Sequence, residues 1–145
     1  MALTTGSVTA VRQAIYQTLC GDVDLCAALG QTPDGFPAVY MGQVVPKDAP
    51  YPRIHVGRPI SDSEGVLNRG GTIQLHDLRC FAKADAWEAL DDIGDHLRRL
   101  FHARRLDLSV GGCVSCLANG PVDIDDGITT GVSGSVVSLT VTTRD

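Results

Sequence analysis

Between positions 86 and 101 the apolar residues Trp87, Leu90, Ile93, Leu97, Leu100 and Phe101 recur every three or four positions, with Asp91, Asp92, Asp95, Arg98 and Arg99 mostly on the other side. That spacing defines an amphipathic helix whose apolar stripe must be covered. The segment just before it, 72–83, is long, alternating and free of proline, and reads as a strand. A half-apolar helix following a half-apolar strand confines the chain to layered folds, with the helix lying across one face of a sheet. Asp85, with Glu88 three residues on, forms the pattern of a capping box at the helix start.

The flanking segments extend this reading. Val8, Val11, Ile15 and Leu19 have helical spacing behind Ser7, a candidate N-cap, and Gly21 stops that helix. Asp22 can cap a second piece over 23–29, with Gly30 where glycine favours a helix end. Residues 38–45 read as a strand that Pro46 and Pro50 break. Over 51–58 Ile54 and Val56 alternate with Arg53 and His55, and Pro52 puts the strand start at an edge or at its first residues.

Residues 57–71 show no periodicity and read as a long loop. In 72–83 the apolar positions run Ile73, Leu75 and then Leu78, Cys80, Ala82, a slip that predicts a β-bulge. After the long helix Leu106, Leu108 and Val110 alternate. Residues 113–117 and 122–124 read as strand pieces around the turn signal Asn119-Gly120-Pro121. A polar loop over 125–134 leads to a last strand with Ser135, Val137, Leu139, Val141 and Thr143 on one side. The order α-β-β-β-α-β-β-β indicates an α+β fold: a mostly antiparallel (mixed) sheet carrying N-terminal helices and one long helix. At 145 residues without internal repeats, one domain spanning 1–145 is expected.

The composition excludes several functions. A formal charge of −5 opposes generic nucleic-acid binding, and the one basic cluster, Arg98, Arg99, Arg104 and Arg105, suits the carbonyl end of a helix dipole. No apolar run approaches a membrane span, and Met1-Ala2-Leu3-Thr4-Thr5 lacks the features of a secretory signal. The five cysteines are expected as reduced thiols in a cytoplasm. Cys113-x-x-Cys116 lacks the second ligand pair of a structural zinc site, and on a regular strand its two thiols would face opposite ways. His55, His76, His96 and His102 show no ligand spacing; His55 and His76 are expected to face solvent or a partner subunit. Asp91, Asp92 and Asp95 read as a solvated helix face. No serine sits in a nucleophile elbow and no glycine-rich phosphate loop opens a helix. No catalytic residue, cofactor or metal is expected.

Three segments together resemble the tail completion (tail terminator) family of long-tailed phages and prophages. They are the broken opening helix 14–30, the strand–bend–strand from Ala38-Val39-Tyr40 through Val44-Val45-Pro46-Lys47-Asp48-Ala49-Pro50-Tyr51-Pro52-Arg53-Ile54, and the strand 73–82 feeding the helix 86–100. The resemblance covers about residues 8–110; residues 111–134 depart from it. It implies a non-enzymatic subunit of a hexameric ring at the head-proximal end of a virion tail, assembled in the host cytoplasm. The implied partners are copies of the chain, the tail tube protein and a head–tail connector or stopper protein, with DNA passing through the lumen unbound. An acidic lumen would let that DNA slide. A ring needs heterologous contacts, for which Arg58, Asp62, Glu64, Arg69, Asp125 and Asp126 in the two long loops are the candidates. Competing readings are a head completion or stopper ring, a tail tube subunit, a small ligand-binding or enzymatic domain, and a regulatory interaction module.

Overall fold

The computed structural model describes residues 6–41, 45–63, 72–109, 111–126 and 130–144. The N-terminal region forms two helices, α1 (Ser7–Gly21) and α2 (Val23–Ala28). Their junction is fixed by Asp22, whose Oδ1 accepts the Leu25 backbone N–H at 2.8 Å, as the sequence leads one to expect. Gly6, not Ser7, holds the cap position of α1. Gly30 is needed for a reason other than a left-handed helix end: a Cβ there would lie 2.7 Å from Pro50 Cβ and 2.9 Å from the Tyr51 carbonyl oxygen. The 45–52 bend therefore closes directly against the end of α2.

Among the described residues six strands follow: β1 (Val39–Met41), β2 (Arg53–Val56), β3 (Ile60–Ser63), β4 (Thr72–Lys83), β5 (Gly112–Asp126) and β6 (Val132–Arg144). They form one mixed sheet in the order β1-β2-β4-β6-β5, with β3 also paired to β4. Only β1 and β2 run parallel; the other described pairings are antiparallel. The segment expected as a loop over 57–71 thus contains β3, whose Ile60 to Ser63 sit opposite Leu75 to Thr72. The expected strand at 106–110 does not form over its described residues; Leu106 is buried and the backbone there is irregular.

The long helix α3 (Trp87–Phe101) is preceded by a 3₁₀ turn at Ala84–Ala86. That turn places Asp85 ahead of the helix and Ala86 at its cap, without a side-chain cap bond, so the capping box is not formed. Leu90, Ile93, Leu97 and Phe101 of α3 are buried with Val11, Ile15 and Leu19 of α1 against Leu78, Cys80 and Ala82 of β4 and Val137, Leu139 and Val141 of β6. Each such side chain contributes about 1.5–3 kcal/mol by leaving water. All three helices cover the same face of the sheet, giving the expected α+β arrangement with the core between the layers.

β4 contains no bulge. Its register with β6 is unbroken from Thr72↔Thr143 to Lys83↔Val132. The apparent slip arises because two polar residues, Gln74 and His76, occupy the inner face, both 0% exposed, while Ile73 and Leu75 point outward at 41% and 36%. The irregularities lie in β5, with register shifts at Cys113/Ser115, Asn119/Val122 and Asp123/Asp125. β5 therefore continues through Gly120-Pro121 as one strand, where the local sequence suggests a turn.

Candidate functional site

The inner face carries a polar ladder. Gln74 Nε2 donates to Thr72 Oγ1 at 2.8 Å, and the Thr72 and Thr143 hydroxyls are 2.7 Å apart. Gln74 Oε1 lies 2.8 Å from His76 Nε2, which fixes Nε2 as the protonated ring nitrogen because an amide oxygen only accepts. Burial, and then the Arg12 guanidinium, lower the His76 pKa to about 4, so the ring is neutral at pH 7. His76 is therefore a core residue with a structural role, correcting its expected exposure. Its Nδ1 and Arg12 Nε are buried without a hydrogen-bond partner among the described residues.

The other histidines separate by surroundings. His55 is partly buried on the outer face, 4.8 Å from the Phe81 ring and 5.9 Å edge-on to Tyr40. Burial, followed by Arg53 and Arg79, lowers its pKa. His96 Nε2 meets Asp22 Oδ1 at 3.0 Å and ties α3 to the α1–α2 junction. The Asp22 carboxylate is held below its usual range, first by the Leu25 N–H and also by His96. His102 Nδ1 accepts the Ala118 N–H at 3.1 Å, and Ala103 N donates to the Cys116 carbonyl at 2.8 Å, so the chain after α3 runs along β5.

Cys113 and Cys116 face the same way, contrary to a regular strand, because the shift at Cys113/Ser115 inserts a residue between them. Cys113 pairs with Thr143 and Cys116 with Val141, both inner-face positions. Burial pushes the Cys116 thiol up to about 12, as it does the Cys80 thiol, which keeps both protonated. Among the described residues no three His, Cys, Asp or Glu side chains gather in a way that could hold a metal.

The residues expected at an assembly contact lie in two places. Arg58 is exposed between β2 and β3, and Asp62 sits in β3 opposite Ile73, beside the first residues of β4. Asp125 and Asp126 pair with Gly134 and Ser133 at the far end of β5, where Asp125 Oδ2 accepts from Thr130 Oγ1 at 3.0 Å. Glu64 and Arg69 lie outside the described residues. Arg58 and Asp62 are thus one corner of the sheet and the Asp125–Asp126 pair another, with β4 and β6 between them.

Sequence reasoning missed an exposed apolar group next to the second corner. Trp87, assigned above to the buried stripe of α3, is 56% exposed because the 3₁₀ turn starts the helix beyond the sheet end. On the opposite, open face of the sheet Val122 and Ile124 of β5 are 60% and 48% exposed, Ile124 flanking Gly134 with Phe81. Trp87, Leu90, Asp91, Asp123, Asp125 and Ser133 enclose a cleft of about 230 Å³. Asp123 and Asp125, alternating with Val122 and Ile124, are the one signal in the sequence that pointed there. The outer sheet face adds a row of Leu75, Thr140 and Leu117, with Leu117 45% exposed. These are surfaces suited to contact with another macromolecule.

No protein-family model and no curated protein sequence matches the chain. Among solved structures, its fold is similar to that of a chain in the virion of a native gene transfer agent particle, at 17% sequence identity and a TM-score of 0.73. The likeness covers 97% of this chain and 98% of that one, so the two share a fold from end to end.

Proposed function

We propose that this chain is a structural subunit of a phage-like virion, and within it a ring-forming tail terminator. The observation that carries the reading is the end-to-end fold similarity to a virion chain, which agrees with the resemblance in the opening helix, the proline-rich bend and the strand–helix unit. The physical layout supports it. One sheet face is covered by helices, the other is left open, and separate corners offer the two unlike patches that a closed ring requires.

In this reading each one-domain subunit joins other copies of itself in a hexameric ring that caps the tail tube, ends its polymerisation and meets the head connector. DNA passes through the bore without specific binding, and no catalytic residue is involved. Arg58, Asp62, Asp125 and Asp126 are proposed contacts with a neighbouring copy or the tube, and Glu64 and Arg69 keep that role as residues outside the described region.

The test is negative-stain microscopy of the purified protein, alone and mixed with tail tubes of the same particle. Density at one end of the tubes, with tube length no longer increasing, is expected. Long filaments of the protein alone would instead assign it as a tube subunit. Absence of binding at either tube end would overturn the terminator reading.

A further inference from the structure

α3 runs back along the sheet from the end where Lys83 pairs with Val132 to the end where Thr72 pairs with Thr143. At the first end Asp85, Glu88, Asp91, Asp123 and Asp125 gather, outnumbering the cations Lys83 and Arg53. At the second stand Arg98, Arg99, Arg104, Arg105 and Arg144, outnumbering Asp62, Asp95 and Asp107. From Glu88 to Arg98 the helix alone rises about 15 Å, well beyond one screening length at physiological salt. The helix dipole accounts for Glu88 in the first turn and Arg98 and Arg99 in the last. It does not reach Asp123 on β5, Arg144 on β6, or Arg104 and Arg105 beyond the helix. The same sign recurs at each end on independent elements, which is a property of the whole surface.

The acidic end also holds the exposed Trp87, which shares a cleft with Asp91, Asp123 and Asp125. A large aromatic side chain inside a charged collar is the form that an interface anchor takes, and an arginine can stack on its face. We propose that the acidic end of one copy receives the basic end of the next, with the Arg98–Arg105 region seated over Trp87 between Asp91 and Asp123. This rests on the ring reading above and names its subunit contact. Like ends repel and unlike ends attract, so the contact is head-to-tail and its polarity is set by charge.

The full chain is studied by light scattering at about 20 mM and about 500 mM salt, with the emission of its single tryptophan recorded in the same samples. Association at low salt is expected to weaken at least tenfold at high salt and to shift Trp87 emission to shorter wavelength as it is covered. Two variants reverse one end each: Asp91→Lys with Asp123→Lys, and Arg99→Glu with Arg105→Glu. Both alter exposed side chains, and circular dichroism checks that both fold. Each alone should lose association at least tenfold. Mixed one to one they should recover it, because alternating copies then meet opposite charge at every contact.

A wild type that stays monomeric at low salt, variants that associate as well as the wild type, or a mixture that fails to recover would each overturn the inference. Rings that persist in both variants overturn this contact and leave the proposed function standing. Loss of tube-end binding overturns the proposed function, whatever the charge variants do.

Discussion

Replacing Gly94 by alanine isolates the contact that seats α3 on β5. A Cβ at Gly94 would lie 2.7 Å from Pro121 Cβ and 2.8 Å from Cγ. Carbon atoms rest at about 3.5–4.0 Å, so the helix would have to lift by about 1 Å. Neither side can yield alone: the proline ring is rigid, and Leu90, Ile93, Leu97 and Phe101 hold the helix down. Overpacking of this kind costs about 1–3 kcal/mol, and the loss of fit beneath four buried side chains places it near the upper value. Alanine returns about 1 kcal/mol through helix propensity. The net loss is about 2 kcal/mol, or a fall in Tm of roughly 6–8 °C at this chain length. Gly21→Ala is the control, because a Cβ there meets nothing within 4 Å. It should leave stability unchanged or slightly raised. Urea and thermal unfolding of both variants give the answer. A Gly94→Ala protein within about 0.5 kcal/mol of the wild type would refute the packing argument.

Three further outcomes are expected. The folded pKa of His76, about 4, lies below the unfolded value near 6.5, so the unfolded chain takes up that proton first. Stability present above pH 6.5 should therefore fall towards pH 4 by up to about 3 kcal/mol, and His76→Leu should flatten that slope in urea titrations, leaving the smaller share of His55. Asp22→Ala removes the cap on Leu25 N and the contact with His96, and should cost about 1 kcal/mol in chemical unfolding, whereas Asp22→Asn should cost less. In the native state a thiol reagent such as DTNB should label at most Cys20, Cys26 and Cys113, because Cys80 and Cys116 are buried; a fourth fast-reacting thiol would contradict the described core.

What was legible in the sequence is what local patterning controls. The apolar stripe of α3, the span of β4, the inner-face alternation of β6 and the Asp22 cap depend on residues within a few positions of one another. Where distant pairing decides, local signals mislead. Gly120-Pro121 has the letters of a turn, yet pairing with β6 carries β5 through it with a change of register. Gln74 and His76 look like outward positions because the ladder they form with Thr72 is closed by Thr143, 71 residues from Thr72. β3 has no alternation of its own and exists because β4 offers it a partner. The candidate contact surface was legible only in part. Asp125 and Asp126 were picked out, but their neighbours Trp87 and Asp91 come from another element, and only the topology brings the two ends together.

The order of the sheet also governs when the molecule can exist. β6 lies between β4 and β5, so residues 132–144 supply the partner for both. Until the ribosome has passed residue 144 and that segment has cleared the exit tunnel, β4 is paired only with β2 and β3, β5 lacks its partner, and α3 has no finished surface to rest on. The sequence separation of β4 from β6 makes this closure slow relative to helix formation. A half-made chain thus lacks the central seam of the sheet, and the surfaces that β4, β5 and α3 build together exist only once residues 132–144 are in place.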